Sequence, residues 1–333
     1  VIAARPSPTA RGILWAILAM AAFATVPIGV RFTTPYLPAA ETVVLRSVIA
    51  VGLMLPWAVA VGWRGLKPKR WDLHLMRGAF NGTGMILWFW GLGLIPVADA
   101  VALQFTLPLF ALVFAVAFLG ERVGVRRTGA MAVGFIGALI IIRPGFAEVS
   151  LATGAVLGSA ALYAATLVVM RSQSRNDKPM TIMFWSNLFF GLVAVIPAAL
   201  VWVPPPAEVW PWLLFLTCGG WLAHFSLTKA LVTIDAKTAA PFDYLRLPFV
   251  AIAAYPLFGE FPDALTWTGA AIIAGTTAYI ARRDTLRARQ RGVAKDQPAH
   301  GLEAGTSVPA PSTGLAPNAL DGNNGPNKMG QGP

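Results

Sequence analysis

Cysteine, histidine and charge are all scarce in this chain, and each scarcity removes a class of chemistry. The one cysteine, Cys218, sits inside an apolar run, so the sequence offers neither an intramolecular disulfide nor a thiolate metal cluster. His74, His224 and His300 are too scattered to suggest a metal site. HExxH, a phosphate loop and a dinucleotide fingerprint are all absent, so no enzyme motif, cofactor or ATP-binding element is expected. Charged residues are only 12% of the 333, against roughly 25% in an ordinary soluble domain.

What fills the space is apolar. Hydrophobic residues make up 56% of the chain, in runs long enough to cross the ~30 Å hydrocarbon core as helices. The spans read as 13–31, 39–61, 75–93, 97–118, 125–142, 151–170, 180–203, 210–228, 233–258 and 264–281. The expected fold class is therefore an all-α membrane protein of ten transmembrane helices. Residues 1–12 form a short N-terminus, and the first run is expected to be retained in place of being cleaved as a signal. The net charge of +11 does not point to nucleic acid, because the basic residues sit in short connections between the runs. With the N-terminus inside, groups such as Arg64, Lys67, Lys69, Arg70 and Arg77, or Arg171, Arg175 and Lys178, fall on the cytoplasmic side. Only Arg31 and Arg143 fall outside. That asymmetry predicts an inner-membrane, multi-pass protein with both termini cytoplasmic.

The chain also repeats itself. FLGE at Phe118–Glu121 aligns with LFGE at Leu257–Glu260 at an offset of 139, which also places Gly91 on Ala230 and Gln104 on Asp243. Residues 13–142 and 151–281 are then two five-helix repeats, and an odd number of spans inserts the second copy upside down. Inverted repeats are a transporter architecture with a site near the bilayer midplane. From 284 to 333 the chain turns to Gly, Pro, Asn and Ser and loses its apolar runs, as a disordered cytoplasmic tail does.

Charges within the runs are few, which makes each a functional candidate. Arg46, Asp243 and Arg246 are the deepest, with Glu41 nearer an outer end. Asp243 and Arg246 stand at i, i+3, close enough to pair, either as a substrate or proton site or as a buried ion pair that fixes packing. Arg46 offers a guanidinium fork for an anionic group, or neutralises Glu41 or Asp243. Pro241 and Pro248 flank the ninth-span charges, and Pro108 holds the matching place in the fourth, so both helices are expected to be interrupted. Trp15, Trp88, Trp90, Phe105, Tyr163, Trp185 and Tyr244 offer rings for a planar ligand, with lipid-facing packing as the alternative for many. Asn81, Gln104, Asn187 and His224 are polar within spans, as ligand contacts or interhelical hydrogen bonds. Small residues at Gly154–Gly158, Ala130–Gly134–Ala138 and Ala270–Ala274–Ala278 predict close helix packing.

Each half closes on Gly-Glu and continues into a Gly-rich helix, as in VFAVAFLGERVGVRRTGAMAVGFIGALIIIRPG and VAIAAYPLFGEFPDALTWTGAAIIAGTTAYIARR. Over roughly residues 11–283 the chain resembles the EamA type of the drug/metabolite transporter superfamily. PFDYLRLP with FGEFPD resembles a branch that includes S-adenosylmethionine and riboflavin importers. The resemblance implies alternating access of a small-molecule substrate around a central cavity in the lipid bilayer. Substrate contacts are expected from Arg46, Asp243, Arg246, Gln104, Trp88, Tyr244, Tyr163 and Asn187. An exporter of amino acids or drugs uses the same features, and a membrane-embedded enzyme is the rival class. Monomer or homodimer stays open.

Overall fold

The computed structural model describes residues 8–119, 125–142, 150–173, 177–234 and 239–296. Among the described residues every element is helical: α1 (Pro8–Thr33), α2 (Ala39–Leu66), α3 (Trp71–Leu94), α4 (Val97–Gln104), α5 (Leu107–Leu119), α6 (Val125–Ile142), α7 (Leu151–Gln173), α8 (Pro179–Leu200), α9 (Trp210–Thr233), α10 (Arg246–Phe258) and α11 (Ala264–Asp296). Two short 3-10 turns, Ala207–Val209 and Ala240–Leu245, precede α9 and α10. Among the described residues each of the ten expected spans falls largely on helix, the fourth and ninth with an interruption. Among the described residues four stretches are long and apolar enough to cross a bilayer by length and composition: Thr9–Thr33, Ala39–Leu66, Val97–Phe114 and Pro179–Leu200. The apolar exterior suits lipid, with Leu200 and Val232 each 81% exposed, a placement that water would penalise.

The repeat seen in sequence sets the helix boundaries. The bounds of α9 lie 139 residues after those of α3, the bounds of α10 lie 139 after those of α5, and α11 starts 139 after α6. Packing repeats as well. The pair α1 and α9 has its counterpart in α7 and α3, while α2 packs on its own mate α8. This is the pattern a pseudo-two-fold axis produces, since such an axis exchanges mates and maps a central pair onto itself.

Both interruptions fall at one repeat position. Chain turns at Phe105–Thr106 separate α4 from α5, and the 3-10 segment Ala240–Leu245 leads into α10. Pro108 and Pro248 stand in the first turns of α5 and α10, where a missing N–H costs little because those donors lack helical partners. The ninth span is thus interrupted, as its prolines predict. Pro241, within the 3-10 turn, shortens the regular helix to Arg246–Phe258. The Lys237 carbonyl that Pro241 was expected to free lies outside the described residues.

Gly259 explains the second Gly-Glu. Its φ of 67° is left-handed, and its N–H closes the α10 C-terminus on the Tyr255 carbonyl at 2.9 Å. The matching Gly120–Glu121 lies outside the described residues. Helices approach most closely at glycine: a Cβ on Gly269 would stand 2.5 Å from the Gly137 carbonyl oxygen, and one on Gly219 would stand 1.8 Å from Thr25 Oγ1. The expected small-residue contact at Gly154 does not form, because nothing lies within 4 Å of the place its Cβ would take. At the C-terminus α11 runs on to Asp296, past the 284 boundary where disorder was expected. Arg, Leu, Ala and Gln in that stretch favour helix whether or not anything packs on it. The rest of the tail, 297–333, lies outside the described residues.

Candidate functional site: a central cavity at both helix breaks

A cavity of about 500 Å³ opens where the halves meet. Its wall on α3 is one helical face, Arg77, Asn81, Met85 and Trp88, at steps of three and four residues. From α1 come Phe23, Val26 and Pro27, and from α9 Gly220, His224 and Leu227, again at helical steps. Arg46 reaches in from α2, Tyr163 and Leu167 from α7, and Phe190 from α8. The two breaks complete it: Gln104, Phe105, Leu107 and Pro108 on one side, Asp243, Tyr244 and Arg246 on the other.

Phe105 and Tyr244 occupy equivalent repeat positions and meet edge to face, ring centroids 5.1 Å apart. Such a contact places both breaks against each other on the cavity wall. Gln104 is buried and its amide donates to Ser159 Oγ. The corresponding Asp243 is exposed to the cavity.

Three guanidinium groups face this space with few partners. Arg46 Nη1 donates to Met85 Sδ at 3.2 Å, a weak acceptor, and its Nε is buried without a partner. Arg77 Nη1 donates to Gln173 Oε1 at 3.2 Å, and its Nε is likewise unpartnered. The Arg246 guanidinium lies over the Phe105 ring at 5.8 Å, with Nε unpartnered. Insertion measurements put an uncompensated arginine at mid-bilayer about 2.5–3.5 kcal/mol uphill, so these groups are held at a cost.

The expected pairing of Asp243 with Arg246 does not form among the described residues. Spacing of i, i+3 permits contact but does not compel it, and here the guanidinium is drawn over Phe105 instead. Arg46 pairs with neither Glu41 nor Asp243. Glu41 is buried elsewhere and accepts the Val203 N–H at 3.1 Å.

Of the eight expected substrate contacts, Arg46, Asp243, Arg246, Gln104, Trp88, Tyr244 and Tyr163 come together around this one space. Asn187 does not. Its amide donates to the Met183 carbonyl on its own helix at 2.9 Å. Trp15 packs edge-on to Phe225, Trp90 is exposed, and Trp185 donates to the Leu66 carbonyl at 2.7 Å, all away from the cavity. Arg77 was assigned from sequence to an inner connection alone. The signal that would have found it is helical phase, since Arg77, Asn81 and Trp88 share a face.

Charged contacts tie helix ends together. Arg31 Nη2 bridges to Glu260 Oε1 at 2.9 Å, and Arg31 Nη1 donates to the Leu92 carbonyl at 3.0 Å. Glu260 Oε2 accepts the Val97 N–H at 2.8 Å, placing a carboxylate on the N-terminus of α4. The Gly-Glu glutamate thus joins the end of α10 to α1 and α4. Glu260 also lines a second space of about 340 Å³, and α4 contributes to the walls of both cavities. At the opposite end, His74 Nε2 and the Lys69 N–H meet the two oxygens of Asp177, each at 3.0 Å.

A helical shell with an apolar exterior, a two-fold repeat and a ring-lined polar cavity at paired helix breaks defines a multi-pass membrane transporter. The chain belongs to the EamA-like transporter family, whose pattern matches residues 10–143 and 151–282, once for each half. A riboflavin transporter of Vibrio cholerae is 32% identical over 289 residues, 84% of this chain and 96% of that protein. An S-adenosylmethionine uptake transporter of Rickettsia bellii is 31% identical over 81% of this chain and 92% of its own length. A pseudopaline exporter of Pseudomonas aeruginosa is 30% identical over 79% and 93%. One solved crystal structure, 18% identical, superposes with a TM-score of 0.58 over 84% of this chain and 98% of its own, a likeness of fold.

Proposed function

We propose that this chain is a secondary carrier that takes up a small planar heteroaromatic metabolite across the inner membrane by alternating access. The observation that carries the reading is the single space to which both broken helices contribute equivalent residues, Gln104 and Phe105 from one half, Asp243 and Tyr244 from the other. Rings at Trp88, Phe105, Tyr163 and Tyr244 give a planar body surfaces to stack on, while the charged groups give polar substituents partners. Riboflavin and S-adenosylmethionine, named for the relatives from Vibrio cholerae and Rickettsia bellii, both have such a body. In this reading ten helices cross the bilayer as two inverted five-helix repeats, residues 13–142 and 151–281, with both termini cytoplasmic. Contacts between connections support the alternation. Those near Arg31, Leu92, Val97 and Glu260 gather at one end, and those near Lys69, His74 and Asp177 at the other, as ten alternating crossings require.

Counterflow tests the reading. Purified protein in liposomes preloaded with unlabelled riboflavin or S-adenosylmethionine should accumulate the same labelled compound, with an aromatic amino acid as comparison. Accumulation of the amino acid alone would move the protein to the exporter side of the family, and chemical turnover without accumulation would make it an enzyme. Reporter fusions after Lys178 and Arg283 should read cytoplasmic and one at Glu208 external; a cytoplasmic Glu208 rejects the ten-crossing topology.

A further inference from the structure

Three guanidinium groups face one small space, and one carboxylate faces it with them. Arg46, Arg77 and Arg246 each keep a buried Nε without a protein acceptor, and among the described residues none of the three forms an ion pair. Among the described residues their contacts are a thioether, an amide oxygen and an aromatic face. Asp243 is the one acid among the described residues of the wall, and it makes no ion pair with Arg246. His224 adds no negative charge, standing edge-on to Phe23 at 5.1 Å. By contrast Arg31 has a carboxylate and a carbonyl, and Asp177 has an imidazole and a backbone N–H. Among the described residues, the three arginines whose buried Nε lacks a partner all line the cavity. Unpaired donors collected at one place in a low-dielectric site are what an anion needs, and a guanidinium fork suits two coplanar oxygens.

We infer that the substrate carries an anionic oxygen group, a carboxylate or a phosphate, on its planar ring body, and that Arg46 with Arg246 or Arg77 holds that group. The inference rests on the cavity being the substrate site and narrows the proposed substrates by charge. A neutral flavin fills the aromatic wall and offers carbonyl oxygens to the guanidinium groups, but no negative charge. A zwitterion with a carboxylate meets them and can present its amino group to Asp243. A phosphate ester of a planar ring meets them with three oxygens.

Matched pairs that differ only in the anionic group decide it: riboflavin against riboflavin 5′-phosphate, adenosine against adenosine 5′-phosphate, and indole-3-acetamide against indole-3-acetate. Binding to the purified full chain in nanodiscs is measured by competition and by ligand-induced rise in melting temperature. The expected result is that the anionic member of at least one pair binds about tenfold tighter or better, as charge-assisted contacts provide. Arg46→Gln and Arg246→Gln should each bring that ratio toward one, Arg46→Lys should fall between, and Asn187→Ala, outside the cavity, should keep it. The two glutamine variants guard against one failing to fold. No anion preference in any pair, including no binding at all, overturns the inference, as does a ratio that both glutamine variants leave unchanged. The carrier reading fails separately: counterflow of a neutral ring with no anion preference keeps the carrier and removes the anion, while anion binding without counterflow does the reverse.

Discussion

The two helix breaks share a geometry and differ in chemistry. At the first, Gln104 is buried and spends its amide on Ser159, and α5 begins with the apolar Leu107. At the second, the matching positions are Asp243, exposed to the cavity, and Arg246, lying over the ring of Phe105. Both breaks are neutral in backbone terms, for the prolines sit where donors are spare. The repeat therefore accounts for the shared opening, and the side chains that differ between its halves account for the charge at the second break.

The largest effect is expected where that asymmetry is erased. Arg46→Gln and Arg246→Gln should each lower uptake about 10- to 100-fold, the range for losing a hydrogen bond to a charged group, with membrane abundance by immunoblot unchanged. Breaking the shared geometry comes next. Gly269→Ala pushes a methyl toward the Gly137 carbonyl, backbone that cannot step aside, and overpacking of that kind costs about 1–3 kcal/mol. The measurement is the melting temperature in detergent, and a value equal to wild type rejects the close approach of α6 and α11. Asp243→Asn should lower uptake less, by about tenfold at most, since the residue is exposed and leaves no partner stranded. A double Asp243→Ala, Arg246→Ala variant with normal uptake would make the second break as inert as the first. Gln104→Ala should be mildest. Ser159 keeps its hydrogen bond to the Val156 carbonyl, so the loss is about 0.5–1.5 kcal/mol in stability with uptake within roughly twofold.

Much of the fold was legible because spacing carries it. One Gly-Glu repeated at 139 residues gives the same offset that relates α3 to α9 and α5 to α10, and three prolines mark the breaks. The cavity was legible where a residue was unusual for its depth, as Arg46, Asp243 and Arg246 are. Arg77 was missed because a charge close to a connection reads as topology, and only its phase with Asn81 and Trp88 turns it inward. Asn187 misled because a polar residue in a span is read as facing something, when its own helix already offers the Met183 carbonyl. The supposed Asp243–Arg246 pair failed for a third reason. Sequence distance gives reach, while the ring that competes for the guanidinium comes from the other half of the chain.

The link of Glu260 to Arg31 and Val97 has a kinetic meaning. Because α4 borders the central cavity on one side and the second cavity on the other, it is a partition, and the carboxylate of the opposite half is its latch. Movement of α4 away from Glu260 gives up the Val97 contact and leaves the ion pair to Arg31 in place. In the proposed alternating cycle, a contact made in one orientation and lost in the other weights the resting population without touching the substrate. Side chains outside the central cavity then bear on which face the empty protein presents to its cargo.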